Sequence, residues 1–288
     1  MQYKQLIKKI LYCIPDGIYL RLLYLYRLKK KLNLNKPKRF TEKLQWLKIY
    51  DRNPLYTILV DKYAVKEYVA NKIGENYVIP TIGIWDDFDD ISFNELPDQF
   101  VLKCTHDSGG NVIVRDKREL NVQEARKKIN YSLKNNFFFN GREWPYKNVP
   151  HKVIAEKYME DPLVKEIVDY KFYCFNGEPN FLYISQGLEN HKTARISFVT
   201  LSWTPSKYQR SDYPIFEVLP DKPTRFDEMV EIAKKLSKGI PFVRVDLYEI
   251  SGQIFFSEMT FFPCGGFMPF KNIEHDYEIG ELLNLPRL

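Results

Sequence analysis

The spacing of apolar positions divides the chain into a helical first quarter and a strand-rich remainder. Ile18, Leu20, Leu22, Leu23, Leu25 and Leu28 recur at helical spacing, with Arg21, Arg27 and Lys29–Lys31 among them, which makes a basic amphipathic helix. Pro37 ends that segment, and Thr41 is placed to cap a second helix carrying Leu44, Leu47 and Tyr50 on one side. A third helix is expected from about Asp61, with Val65, Tyr68, Val69 and Ile73 on one face and Gly74 as its stop. From Tyr77 the texture changes to short strand-like runs at 78–80, 82–85, 99–104 and 111–115, separated by Asp, Gly, Ser and Pro.

Residues 121–134 and 225–238 read as helices, and 135–151 as a loop or lid. Further strands are expected at 152–159, 168–175, 180–185, 242–249 and 253–259. Asn176-Gly177 between two of them is a strong signal for a tight hairpin turn. Hairpins with interspersed helices, and no alternating βαβ pattern, predict an α+β fold built on antiparallel sheets. Three regions follow: an N-terminal basic helical segment at 1–75, a lid-type α+β subdomain at 76–150, and a core at 151–288.

With 288 residues the chain can bury a sizeable core, as one large domain or two modest ones. Apolar residues at 44% and charged residues at 28% are ordinary for a globular protein, and 20 Phe and 20 Tyr against 13 Gly exclude a low-complexity chain. Charge changes the picture more. Residues 1–50 hold 13 Lys and Arg against Asp16 and Glu42, a balance of +11, so the other 238 residues carry −5 of the net +6. A basic arm on an acidic body argues against a nucleic-acid-binding protein and directs any anionic partner to the N-terminus.

Cys13, Cys104, Cys174 and Cys264 form no C-x-x-C pair and share no metal-ligand spacing with His106, His151, His191 or His275. They read as small buried hydrophobes in a reducing, cytoplasmic setting. The apolar run at 10–14 is cut by Pro15-Asp16-Gly17 with no small-residue cleavage site after it, so no signal peptide is expected, and no stretch is long enough to span a bilayer. Two readings of the 18–28 helix stay open. It packs on the body, or residues 1–31 make a peripheral contact with an anionic membrane face.

The chemistry concentrates in three places. In Phe242–Tyr248 the even positions include Arg244, Asp246 and Tyr248, and in Phe255–Thr260 they include Glu258 and Thr260. A three-residue loop, Ile250-Ser251-Gly252, would set Arg244 opposite Glu258 with Asp246 diagonal to it, whereas a two-residue loop would send the carboxylates to opposite faces. Two acids on one hairpin face repel unless a cation joins them, and hard oxygens suit Mg²⁺; a cross-strand ion pair of Arg244 with Glu258 is the alternative. The second place is Lys103, ending a strand, before Cys104-Thr105-His106-Asp107-Ser108-Gly109-Gly110-Asn111, a loop able to fold backbone N–H groups over a phosphate or simply to serve as a long hairpin tip. The third is Val153–Asp161, an apolar strand ending in acids, which is either an edge strand or a hinge for a nucleotide's base and ribose. No G-x-G-x-x-G or G-x-x-x-x-G-K-[ST] occurs, which argues against Rossmann and P-loop sites.

Taken in order, these stretches resemble the ATP-grasp superfamily, and more narrowly the TupA-like (teichuronopeptide-biosynthesis-like) family of bacterial surface-polysaccharide clusters. The resemblance is carried by 38–46 (KRFTEKLQW), 61–66 (DKYAVK), 103–111, Glu156-Lys157-Tyr158, Asp169–Phe172 with Asn176-Gly177, Arg244-Val245-Asp246, and Glu258–Phe261 through Gly265-Gly266. It implies ATP between the lid and the C-terminal sheet. Lys103, Lys171 and Lys62 would touch phosphates, and the Asp107-Ser108-Gly109-Gly110 loop would close over them. Glu156, Lys157 and Tyr158 would meet the adenine, and Glu160 or Asp161 the ribose. Asp246 and Glu258 would hold Mg²⁺, with Thr260 standing where the superfamily usually has Asn. Arg244 would stabilise a tetrahedral oxyanion. The implied reaction is carboxylate–amine ligation through an acyl phosphate, releasing ADP. Its expected partners are a uronic-acid carboxylate on an anionic glycan or lipid-linked precursor, and an amino acid or other amine. The alternatives are a metal-dependent glycosyltransferase of capsule or O-antigen synthesis that uses a nucleotide sugar, and a non-enzymatic membrane- or RNA-associated scaffold.

Overall fold

The computed structural model describes residues 13–161, 167–187 and 193–287, so the part of the expected membrane-contacting segment at 1–12, and His191, lie outside the described residues. Helices α1 (Asp16–Leu28), α2 (Phe40–Tyr50), α3 (Leu55–Val60) and α4 (Ala64–Ile73) come first. Then follow β1 (Thr81–Trp85), β2 (Phe100–Cys104), β3 (Val112–Val114), α5 (Val122–Leu133), α6 (Phe138–Gly141) and β4 (Val153–Lys157). The chain continues with β5 (Asp169–Phe175), β6 (Glu178–Gln186), β7 (Arg195–Thr200), α7 (Phe226–Ser237), β8 (Phe242–Ile250), β9 (Gln253–Thr260) and α8 (Ile273–Leu282).

The strands form two antiparallel sheets, β1-β4-β2-β3 and β7-β6-β5-β8-β9, so the α+β class stands. β4 lies between β1 and β2, which makes it an interior strand rather than an edge, and it places residues 153–157 in the first sheet although they follow residue 150. α5 covers this sheet through Ala125 and Ile129 against Phe100, Leu102 and Val153. The second sheet is covered on one face by α7, whose Phe226, Met229, Ile232, Ala233 and Leu236 fall on one helical stripe and are buried. Burying each of the larger ones contributes about 1.5–3 kcal/mol. The opposite face of that sheet carries the polar residues described below.

Helix starts follow side-chain chemistry, with one change from expectation. Arg39, not Thr41, is the N-cap of α2, and Glu42 closes the turn by accepting from the backbone N–H groups of Asn33 (3.2 Å), Lys38 (3.0 Å) and Arg39 (3.1 Å). Thr41 is buried inside the first turn, where its hydroxyl donates to Asp276 Oδ2 (2.7 Å) and so ties α2 to α8. The two helices touch closely at Gly280, where any Cβ would overlap the Lys38 carbonyl. Asp61 accepts from the N–H groups of Tyr63 (2.8 Å) and Ala64 (3.1 Å) and so starts α4.

Four elements were not legible in the pattern: α3, α6, β7 and α8. The segment 135–151 is not a lid. Phe138, Trp144 and Val149 lie in the main core, and Trp144 Nε1 donates to the Asp51 carbonyl (3.1 Å). Of the four free cysteines, Cys104 and Cys174 are buried, but Cys13 and Cys264 are exposed.

Candidate active site

The Asn176-Gly177 turn has both residues at positive φ (53° and 85°), as a two-residue hairpin requires, and a register shift between Tyr173 and Cys174 then sets Lys171 opposite Tyr183. The next strand pairing sets Lys171 opposite Asp246. The β8–β9 connection departs from expectation. Ile250 pairs with Gln253, so the loop is the two residues Ser251 and Gly252, with φ of 50° and 75°. A regular ladder from this turn would put Glu258 on the core face. The register instead shifts between Asp246 and Leu247, leaving Ser257 as an extra bulged residue, and Asp246 pairs with Glu258 while Arg244 pairs with Thr260. The bulge restores the shared face that the expected three-residue loop would have given.

On that face Arg244 is the hub. Its Nε reaches Asp246 Oδ1 (2.7 Å) and its Nη2 reaches Asp246 Oδ2 (2.6 Å), Glu258 Oε1 (3.0 Å) and Thr260 Oγ1 (3.0 Å). Nη1 donates to the Tyr183 hydroxyl (3.1 Å). Lys171 Nζ sits between Asp246 Oδ2 (2.8 Å) and Asp169 Oδ1 (3.2 Å). Burial opposes the charge of Lys171, yet Asp169 and Asp246 hold its pKa well above the ordinary lysine value. Burial likewise opposes ionisation of Glu258, but Arg244, Lys171 and Lys62 outweigh it and bring its pKa down to about 2. The last of these cations, Lys62, donates to the chain just after β2, so charges from both sheets meet at Glu258.

The two acids differ in access. Asp246 is fully enclosed by Arg244 and Lys171, whereas the Glu258 side chain is 44% exposed. Among the described residues no cluster of three or more His, Cys, Asp or Glu occurs. Two carboxylates and a hydroxyl, all hard oxygens, with one carboxylate open to solvent, fit Mg²⁺, which takes one or two carboxylates and completes its shell with water and phosphate oxygens. Thr260 also donates to Glu258 Oε1 (3.1 Å), so its hydroxyl orients the open acid.

Across the cleft, Lys103 and Lys66 each lie 2.5 Å from one oxygen of Glu156. Lys66 further donates to the Ile79 carbonyl (2.7 Å) and Thr81 Oγ1 (2.8 Å). Glu156, expected on the adenine, is therefore the anchor of two lysines. Burial works against its charge and the lysines more than offset it, so its pKa falls below the ordinary carboxylate value. Lys62 donates to the carbonyls of Cys104 (3.1 Å) and Asp107, and the Asp107 carboxylate accepts from Ser132 Oγ. Asp107 thus fixes the root of the loop, while Ser108 and Gly109 at its tip are exposed. Gly109 has φ +88° with open space where a Cβ would be, and a Cβ on Gly110 would overlap the Asp107 carboxylate.

At the end of β4, the Lys157 N–H is taken by the Pro80 carbonyl (3.0 Å), and the Tyr158 hydroxyl accepts from Arg115 Nε (3.0 Å). Glu160 is exposed, and Asp161 Oδ2 accepts from the Ser251 N–H (2.7 Å) at the β8–β9 turn. Lys62, Lys66, Ile79 and Glu156 line a cleft whose other wall is Phe256 and Ser257 of β9. One cavity therefore touches both sheets.

A family model described as TupA-like ATPgrasp matches residues 42–284. The chain belongs to the TupA-like ATP-grasp family. Among solved structures it is similar to D-alanine-D-alanine ligase from Helicobacter pylori, at 13% identity and a TM-score of 0.49, covering 86% of this chain and 70% of that one. It is also similar to the ATP-grasp ligase PsnB complexed with minimal precursor (10%, TM-score 0.40, 76% and 58%) and to L-amino acid ligase from Bacillus licheniformis (15%, TM-score 0.40, 76% and 45%). The chain thus spans 70% of the first structure's length and about half of the other two. No curated protein matches it.

Several residues of this TupA-like ATP-grasp site escaped the sequence reading. Lys66 stands four residues after Lys62, one helical turn along α4, and that spacing was the available signal. Tyr183 and Asp169 follow from strand parity once Lys171 is placed, but only if the hairpin register is known. Lys48 had no such signal. It is buried under the segment after β9, donating to Gln45 Oε1 (3.0 Å) and to the carbonyls of Gly141 (2.8 Å) and Gly265 (2.6 Å). Cys264, Gly265 and Gly266 all have positive φ there, and Lys48 holds that turn just after β9.

Proposed function

We propose that this protein is an ADP-forming carboxylate–amine ligase that joins a uronic-acid carboxylate of a bacterial surface polysaccharide, or of its lipid-linked precursor, to an amino acid or other amine. The observation that carries the reading is one sheet face bearing Arg244, Lys171, Asp246 and Glu258, with Lys62 from the other side of the molecule close enough to act on Glu258. Such a face matches a triphosphate and its divalent ion. Among the similar structures, a D-alanine-D-alanine ligase from Bacillus anthracis is complexed with ATP, and PsnB with Mg and ADP.

ATP would lie in the cleft between the sheets, its phosphates drawn by Lys103, Lys171 and Lys62, with the loop at 107–110 folding its backbone N–H groups over them. Glu156 positions Lys103 and Lys66 before nucleotide arrives. Glu160 and Asp161 stand at the hinge for the ribose, next to Lys157 and Tyr158 for the adenine. Asp246 and Glu258 would hold Mg²⁺, which when bound neutralises phosphate charge during transfer. The substrate carboxylate takes the γ-phosphoryl and becomes an acyl phosphate. The amine then attacks the acyl carbon and gives up a proton, the C–O bond to the phosphoryl group breaks, and phosphate leaves carrying that carboxylate oxygen. Arg244, held by Tyr183 and two carboxylates, faces the oxyanion of that step.

Hydroxylamine trapping tests the reading. ATP, Mg²⁺, a glucuronate- or galacturonate-containing oligosaccharide and hydroxylamine should yield a hydroxamate and ADP. Transfer from a nucleotide sugar with no ATP cleavage would overturn it.

A further inference from the structure

α1 is apolar on two opposite sides. Leu20 and Tyr24 are fully buried against the body, and the Tyr24 hydroxyl bonds Thr41 Oγ1 (2.6 Å), so one side is a packed face. Ile18 (53% exposed), Leu22 (58%), Leu25 (49%) and Tyr26 (71%) form a second stripe on the other side, spaced at i, i+4, i+7 and i+8 and open to solvent. A surface helix needs one apolar face to hold it to the core; a second, contiguous and exposed, calls for a partner. The sequence left packing and membrane contact as alternatives, and the structure gives α1 both a packed face and a free apolar one.

Charge identifies the occupant. Arg21, Arg27, Lys29, Lys31, Lys36 and Lys38 are exposed around and just after the stripe, and no Asp or Glu occurs from 17 to 41. A second copy of this chain would bring two such basic faces together and repel. A surface rich in phosphate headgroups would be drawn to the cations and accept the Ile, Leu and Tyr side chains beneath them. Thirteen residues make a helix of about 20 Å, and among the described residues no helix is long and apolar enough to cross a bilayer, so the geometry is one of lying on the surface.

We propose that α1 docks the protein onto an anionic lipid bilayer, with Ile18, Leu22, Leu25 and Tyr26 entering the headgroup boundary and the flanking Arg and Lys on phosphates. This inference is independent of the ligase reading, because none of its residues belongs to the nucleotide site.

Co-sedimentation of the full chain with vesicles tests it. Binding to phosphatidylcholine vesicles containing phosphatidylglycerol should be at least about tenfold stronger than to phosphatidylcholine alone, and should fall with salt. Leu22→Ser with Leu25→Ser should cut the partition coefficient by at least about tenfold, given the transfer free energy of two leucines. Lys29→Gln with Lys31→Gln should weaken binding to anionic vesicles without affecting thermal stability. Equal binding by wild type and the leucine double variant, or no preference for anionic vesicles, would overturn the proposal. So would a dimer in solution that the leucine substitutions dissolve, with no vesicle binding, because the stripe would then belong to a second copy.

Discussion

Asp246 and Glu258 are register partners on neighbouring strands, yet one is sealed by Arg244 and Lys171 while the other is half open to solvent. The difference predicts different consequences for neutral substitutions. Glu258→Gln should abolish Mg²⁺-dependent ATP turnover and lower the melting temperature less than Asp246→Asn does, because the half-exposed Glu258 is partly screened by solvent. Asp246→Asn should abolish turnover and also cost about 3 kcal/mol of stability, because it leaves two buried cations without their shared counter-charge. Thermal unfolding beside ADP release distinguishes them, and equal melting temperatures would contradict this assignment.

Glu156 anchors Lys103 and Lys66 together. Lys103→Met should raise the dissociation constant for ATP by about tenfold or more, in line with a lost charge-assisted contact. Glu156→Gln should lower stability more than Lys103→Met does, because Lys66 keeps its burial and loses its anion. Calorimetric titration with ATP and Mg²⁺, paired with melting curves, tests both.

The glycine loop separates two kinds of constraint. Gly109→Ala meets only the left-handed backbone penalty, about 1–2 kcal/mol at most. Gly110→Ala pushes on the carboxylate of Asp107, which Ser132 and Lys62 hold, and so should displace the loop root. The expected result is a larger loss of ATP affinity for Gly110→Ala than for Gly109→Ala.

The pH dependence of stability has a definite sign at Glu258. Its folded pKa, about 2, lies below the ordinary 4.5, so the folded state prefers the ionised form. Its contribution is complete above the ordinary value and is lost as pH falls toward 2. Glu258→Gln should therefore show a shallower acid loss of stability across that window than wild type. Denaturant midpoints at a series of pH values measure this, and parallel curves would contradict it.

What the sequence made legible was whatever local patterning encodes. The Asn176-Gly177 turn, the stripe of α7 and the strands that carry Lys103, Lys171 and Asp246 were all readable as period-2 or period-3.6 signals. The face shared by Asp246 and Glu258 was expected for the wrong local reason. A bulge at Ser257, set by no turn signal, supplies the parity that a three-residue loop was expected to supply. β7 and α8 were missed because their faces are decided by packing against β6 and α2. Glu156 was legible as part of a strand, but its two lysines come from β2 and α4, and only the assembled fold brings them to it.

The most direct test of acyl-phosphate formation follows an oxygen atom. With a uronate substrate carrying ¹⁸O in its carboxylate, together with ATP, Mg²⁺ and an amine acceptor, the ligase account predicts that one ¹⁸O appears in the inorganic phosphate released with ADP for each amide formed. Amide formation that leaves the phosphate unlabelled, or that releases AMP, would contradict it.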